Sequence, residues 1–226
     1  MGIEGRLLLT LELDRGGVDS VSIESSRPVH AAAVLRGKTP VDVQKTVPLL
    51  FSVCATAQAC AAVRALEKAE GIAVTATADN LRQTLVDLET LREHLWRVLL
   101  EWPGFVGEAP VRKAMAEVVS LQRQLSGALC QGGDAFAFGG FECSSDPELL
   151  MAIHNCLLEL LAHEVYGVAV EEWLEISDYP SLSEWAVHFH TPAGLLMQKV
   201  MEERWEQAGK CESRPLPTLP LSLIHI

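Results

Sequence analysis

The 226-residue chain carries 30 acidic and 18 basic side chains, a formal net charge of −12, with 49% hydrophobic and 21% charged residues. That is a globular profile, with apolar material for one large domain or two small ones. The acidity speaks against nucleic acid or an anionic membrane as partner, and no apolar run is long enough to span a bilayer.

The opening Met1-Gly-Ile-Glu-Gly-Arg lacks the charged and apolar regions of a signal peptide. Arg6 stands where a myristoylation signal has Ser or Thr. The six cysteines (54, 60, 130, 143, 156 and 211) include no Cys-x-x-Cys pair. Neither a zinc site nor a disulfide framework is indicated, and a reduced, cytoplasmic protein is the economical expectation.

Residues 6–14 and 18–24 alternate apolar and polar positions around the turn signal Asp14-Arg-Gly-Gly17, which predicts a β-hairpin. Glu4, just before it, reads by itself as a solvated acid preceding an edge strand. Thr39 can cap and Pro40 can take the first helical position, so a helix starts over 41–46 and Pro48 kinks or interrupts it. An alanine-rich helix then runs from Pro48 to Ala69, where Glu70-Gly71 supplies the stop. Cys54 and Gln58 are four apart in it and share a face. Near a helix N-terminus they face orphan N–H groups and the positive end of the dipole, a setting that favours a thiolate. The other reading of a lone cysteine among alanines, a small core residue, stands beside it.

Residues 73–78 form an extended connector. From Asp79, leucines 81, 85, 88, 95 and 99 recur at helical spacing as far as Pro103. His94 and Trp96 within that helix read as packed or capped side chains. A further helix spans 110–128, with Met115, Val118, Val119, Leu121 and Leu125 inward. The glycine-rich stretch 130–143 lacks the lysine and the strand–helix context of a phosphate cradle. Asp146-Pro147 caps a long helix to about Glu175. On it His154 and His163 take opposite faces, and Cys156 lies ~10 Å from His163, too far for one zinc. His188-Phe-His190 precedes the helix start Thr191-Pro192, so the pair belongs to a capping turn rather than a metal site. The last helix runs from Pro192 to about Ala208, and residues 210–220 are proline-rich without a core-forming period. The expected fold class is α+β, a small N-terminal antiparallel sheet packed on a mostly α-helical body. It forms one domain over 1–208 with a proline-rich tail over 209–226.

The stretch Val53-Cys-Ala-Thr-Ala-Gln-Ala-Cys-Ala-Ala-Val-Arg-Ala-Leu-Glu-Lys-Ala69 resembles the large subunit of nickel–iron hydrogenases. The family's motif there is Arg-x-Cys-Gly-x-Cys-x-x-x-His before a helix containing Ala-x-Val-Arg-Ala. Cys54 matches the second cysteine, while Phe51, Ser52, Gln58 and Leu49 replace the first cysteine, the glycine, the histidine and the arginine. Glu4-Gly-Arg6 resembles the family's Glu-Gly-His, whose glutamate the resemblance associates with proton transfer near nickel. Val34-Leu-Arg-Gly-Lys-Thr-Pro40 resembles its Ile-Leu-x-Gly-x-x-Pro, with Ala32 in place of a glutamate that helps hold a structural ion. With its thiolate set incomplete, the chain is expected to hold no nickel and to be no enzyme.

A narrower resemblance is to hydrogenase maturation proteins of the HupK/HoxV type, carried by Ser52-Val-Cys-Ala-Thr-Ala-Gln58, Trp96-Arg-Val-Leu-Leu-Glu-Trp-Pro103 and Thr191-Pro-Ala-Gly-Leu-Leu-Met197. The resemblance implies a hydrogenase large-subunit-like fold without turnover. It implies a scaffold that assists assembly of the iron–cyanide–carbonyl part of the cofactor, bound transiently through Cys54 with Gln58 and Glu4 nearby. The partners it implies are hydrogenase maturation chaperones and the large-subunit precursor. A divergent large subunit with activity, and a metal-free helical interaction module with Cys54 in its core, are the competing readings. The final Leu221-Ser-Leu-Ile-His-Ile226 matches a translated transposon-end adapter from DNA library preparation, so the natural protein is expected to continue past Pro220.

Overall fold

The computed structural model of the chain describes residues 5–14, 17–26, 31–141 and 144–205. Glu4, the turn residues 15–16, Cys143 and the tail with its last six residues lie outside the described residues. What is described is mostly helical, with one small antiparallel sheet at the N-terminal end. That is an α+β composition.

Strands β1 (Leu7–Asp14) and β2 (Gly17–Ser25) pair from Leu7↔Ser25 to Asp14↔Gly17, with a bulge at Glu12/Leu13. The alternation therefore gives the hairpin it predicts. The packing differs from expectation: every residue of both strands is exposed, so the sheet is not buried against the helical body.

The core lies among α3 (Ala76–Trp96), α5 (Arg112–Leu129) and α6 (Pro147–Leu161). Leu88, Leu95 and Leu99 meet Met115, Val118, Leu121 and Leu125 from α5 and Ile153, Leu157 and Leu161 from α6. Each such side chain contributes roughly 1.5–3 kcal/mol on burial, which fixes the three helices as a unit. The pair α1 (Pro40–Leu50) and α2 (Ala55–Ala69) packs together, and α2 lies against α3. Short α4 (Trp102–Phe105) and α7 (Val170–Leu174) precede the paired α8 (Tyr179–His188) and α9 (Pro192–Glu202).

Several boundaries differ from the sequence reading for local reasons. Thr75 Oγ1 accepts the Ala78 N–H at 3.2 Å, so α3 begins at Ala76 where an extended connector was expected. At its far end α3 widens into a π-helical turn, Arg97–Glu101, and the chain stays helical through Pro103. That proline sits in the first turn of α4, where a missing N–H costs little. The helix expected to reach Glu175 instead ends in a second π-helical turn, Ala162–Tyr166, capped by Gly167 at φ +74°. A Cβ on Gly167 would also lie 2.4 Å from the Phe189 ring, so glycine is required twice over.

Helix α1 likewise continues through Pro48. The turn comes afterwards at Phe51 (φ −120°, ψ 56°), where the chain bends by 101° between Pro40–Leu50 and Ser52–Ala69. Among the described residues no single helix is long and apolar enough to cross a membrane.

Candidate functional site

The candidate site is the elbow between α1 and α2. Thr39 starts it: its hydroxyl accepts the Asp42 N–H at 3.2 Å and donates to the Asp42 carboxylate at 2.7 Å. That hydroxyl bond holds the Asp42 carboxyl below its ordinary value. After the bend, Ser52–Cys54 form one 3₁₀ turn, and Cys54 (φ −118°, ψ 49°) is the N-cap of α2.

Cys54 is exposed, and the half-buried Gln58 donates its Nε2–H toward Cys54 Sγ at 3.6 Å. The four-residue spacing thus brings thiol and amide together. Cys54 does not sit in a cleft beneath the sheet, since no strand residue is buried. It stands on an apolar corner with Leu49 and Val53, which are 80% and 75% exposed.

The helix N-terminus is not vacant. Glu89, 5% exposed on α3, accepts the Thr56 N–H at one carboxylate oxygen and the Ala57 N–H at the other, both at 2.9 Å. A side chain from another helix therefore fills two of the orphan donors of α2. The expectation that Cys54 and Gln58 face orphan N–H groups there is corrected accordingly.

A second buried acid fixes the far end of α2. Glu67 and Arg82, at 2% and 0% exposure, form a bidentate pair at 2.7 and 2.9 Å. Arg82 also donates to the carbonyls of Ala135 (2.8 Å) and Ala137 (3.2 Å), and it lies 5.6 Å from the Phe141 ring centroid. Gln44 on α1 donates to Asp134 and accepts the Phe138 N–H, at 2.8 and 2.9 Å. The glycine-rich stretch is therefore a strap joining α1, α2 and α3, which agrees with its lacking the features of a nucleotide cradle.

Sequence reasoning missed Glu89, Arg82 and Glu67. A signal was present: Ala78, Arg82, Leu85 and Glu89 follow one helical stripe, and charges on a buried stripe need partners. Cys60 is 2% exposed, and burial pushes its thiol up. His188 closes α8, its Nδ1 lying 2.8 Å from the Glu184 carbonyl, and Thr191 caps α9 through the Gly194 N–H. The histidine pair therefore flanks a cap. Among the described residues no three His, Cys, Asp or Glu side chains gather as a metal-binding group.

Curated proteins similar to the chain carry one kind of name. Over 99 residues it is 38% identical to the hydrogenase expression/formation protein HupK of Azotobacter vinelandii, covering 43% of this chain and 29% of that protein. Over 204 residues it is 29% identical to the hydrogenase expression/formation protein HoxV of Cupriavidus necator, covering 88% of this chain and 46% of that protein. The HupV protein of Azotobacter chroococcum is 37% identical over 99 residues, 43% of this chain and 29% of that protein. The chain spans less than half the length of the curated relatives it matches. The HupK/HoxV-type resemblance read from the motifs is borne out by these relatives. No family model and no solved structure matches.

Proposed function

We propose that the chain acts in nickel–iron hydrogenase maturation as a non-catalytic scaffold with a large-subunit-like fold, handling the iron–cyanide–carbonyl fragment as cargo. The observation that carries this reading is the exposed Cys54 with the Gln58 amide 3.6 Å from its sulfur, in a chain similar to HupK and HoxV proteins. Iron bearing cyanide and carbonyl is soft enough to take a thiolate ligand, and a single protein thiolate releases it more readily than the several of a finished site. Gln58 offers amide N–H groups to a cyanide nitrogen without adding an ionisable group. Nickel has no place in this scheme. The partners are a maturation chaperone that delivers the fragment and the large-subunit precursor that receives it.

The test is infrared spectroscopy on protein purified anaerobically from a hydrogenase-producing host. Cyanide and carbonyl bands are expected in the parent and in Cys156→Ser, an exposed-thiol control, and absent in Cys54→Ser at unchanged circular dichroism. Cys60 makes a poor control, because a serine there buries a hydroxyl. Bands that persist in Cys54→Ser, or are lost in both variants, refute the assignment. Glu89 favours a second reading: a helix N-terminus already neutralised by a carboxylate suits a metal-free interaction module. A parent protein without either set of bands would point there.

A further inference from the structure

The hairpin carries an apolar face that the helical body does not use. Its register places Leu7, Leu9, Leu11 and Leu13 of β1 on one side with Val18, Val21 and Ile23 of β2. These side chains are 55–70% exposed. The opposite side carries Leu8, Thr10, Glu12 and Asp14 against Glu24, Ser22 and Ser20, and the bulge adds Asp19 to β2. Within the two strands there are four carboxylates and no basic residue.

We propose that this hairpin is a docking surface for a strand of a partner protein that alternates apolar with Lys or Arg residues and pairs along the outer edge of β1. The choice of edge follows from the bulge, which lies in β2 and distorts that edge for pairing. Strand β1 has no such break. A strand added to β1 continues both faces of the sheet. Its apolar residues extend the row of leucines, and its alternate residues fall beside Glu12 and Asp14, with Glu24 one strand further on, so that basic side chains match the charge of that face.

A second copy of this chain fits poorly. Eight residues by two strands present roughly 270 Å² of face, well short of the ~800 Å² per partner of a stable complex. Two copies would also bring together like-charged hairpins of a molecule with net charge −12. A strand partner adds main-chain hydrogen bonds to the small apolar contact.

The test uses the full 226-residue chain and three labelled ten-residue peptides: alternating Val and Lys, alternating Ser and Lys, and alternating Val and Glu. Fluorescence anisotropy is expected to show binding of the Val–Lys peptide alone, weakened by salt, with slowed amide exchange along β1. N-methylation of alternate Val–Lys peptide bonds, which blocks edge pairing, and Leu11→Lys in the protein should each weaken binding by about tenfold or more. Leu174→Lys on α7 should leave it unchanged. Because Leu11→Lys could disturb the hairpin itself, the methylated peptide on unaltered protein carries the decision. Equal binding of the Ser–Lys peptide reduces the site to charge alone and overturns the proposal. So does binding that survives methylation. Concentration-dependent self-association without peptide binding assigns the face to a second copy, and partition onto zwitterionic vesicles assigns it to lipid; either result refutes the strand partner.

Discussion

Replacing Arg82 by Met should be the most damaging single change in the body of the protein. Arg82 has no exposed surface, and its guanidinium serves both oxygens of Glu67 and the carbonyls of Ala135 and Ala137. Without it, the Glu67 carboxylate, 2% exposed, keeps among the described residues only the Gly139 N–H at 3.3 Å, and two carbonyls lose donors. Leaving one partner of a buried pair uncompensated costs about 3–5 kcal/mol, and the orphaned carbonyls add about 1 kcal/mol more. Roughly 5 kcal/mol is a large share of the 5–15 kcal/mol by which domains are stable. Urea denaturation followed by circular dichroism measures it. Arg82→Met with Glu67→Leu should recover much of the loss, since the pair is replaced by apolar packing. A single-variant loss under ~1 kcal/mol, or a double variant no more stable than the single, would refute the reasoning.

Glu89→Ala should lower stability by about 2–3 kcal/mol in the same assay, because two charge-assisted caps of α2 are lost; Glu89→Gln, which keeps one acceptor, should cost about half as much. Iodoacetamide labelling read by peptide mass spectrometry should modify Cys54 rapidly and Cys60 only on unfolding, given an exposed and a 2% exposed thiol. Burial raises the Cys60 thiol above 9.0 and the Tyr166 phenol above 10.0. The folded state therefore favours their neutral forms, and stability should hold below pH 9.0 and fall as pH rises past each value. In Cys60→Ala the first part of that fall should disappear.

Much of this architecture is legible in the chain because it is written in local terms. The hairpin follows from period-two alternation, and α5 follows from its apolar stripe, whose buried members include Met115, Val118, Leu121 and Leu125. The pairing of Cys54 with Gln58 needs only the four-residue spacing. What could not be read is what depends on a second element. Glu89 caps a helix more than thirty residues away in the chain, and Arg82 reaches 53 residues along to the Ala135 carbonyl. No window of sequence holds both ends of such a contact. The prolines misled for a related reason: Pro103 reads as a break, yet it lies in the first turn of α4, where its missing N–H is tolerated, and Pro48 stands in the last turn of α1, so the bond it removes falls where the helix is about to end. The place of the sheet was misjudged because amphipathicity says that a face needs covering, not which surface covers it.

The position of Glu89 also decides which residue near Cys54 can serve an anionic ligand. Its carboxylate occupies the Thr56 and Ala57 N–H groups, so backbone donors of the first turn of α2 are spent on a charge of the same sign as a cyanide-bearing fragment. On the proposed function the hydrogen bond to cyanide then falls to Gln58, whose Nε2 lies 3.6 Å from the sulfur. Gln58→Leu removes that donor while keeping a side chain of similar size on a half-buried position. A single hydrogen bond is worth about 0.5–1.5 kcal/mol, so retention of the fragment through gel filtration should fall by about two- to tenfold. The cyanide bands should shift and the carbonyl band should stay in place. Unshifted cyanide bands with full retention would show that Gln58 does no more than cover the thiol.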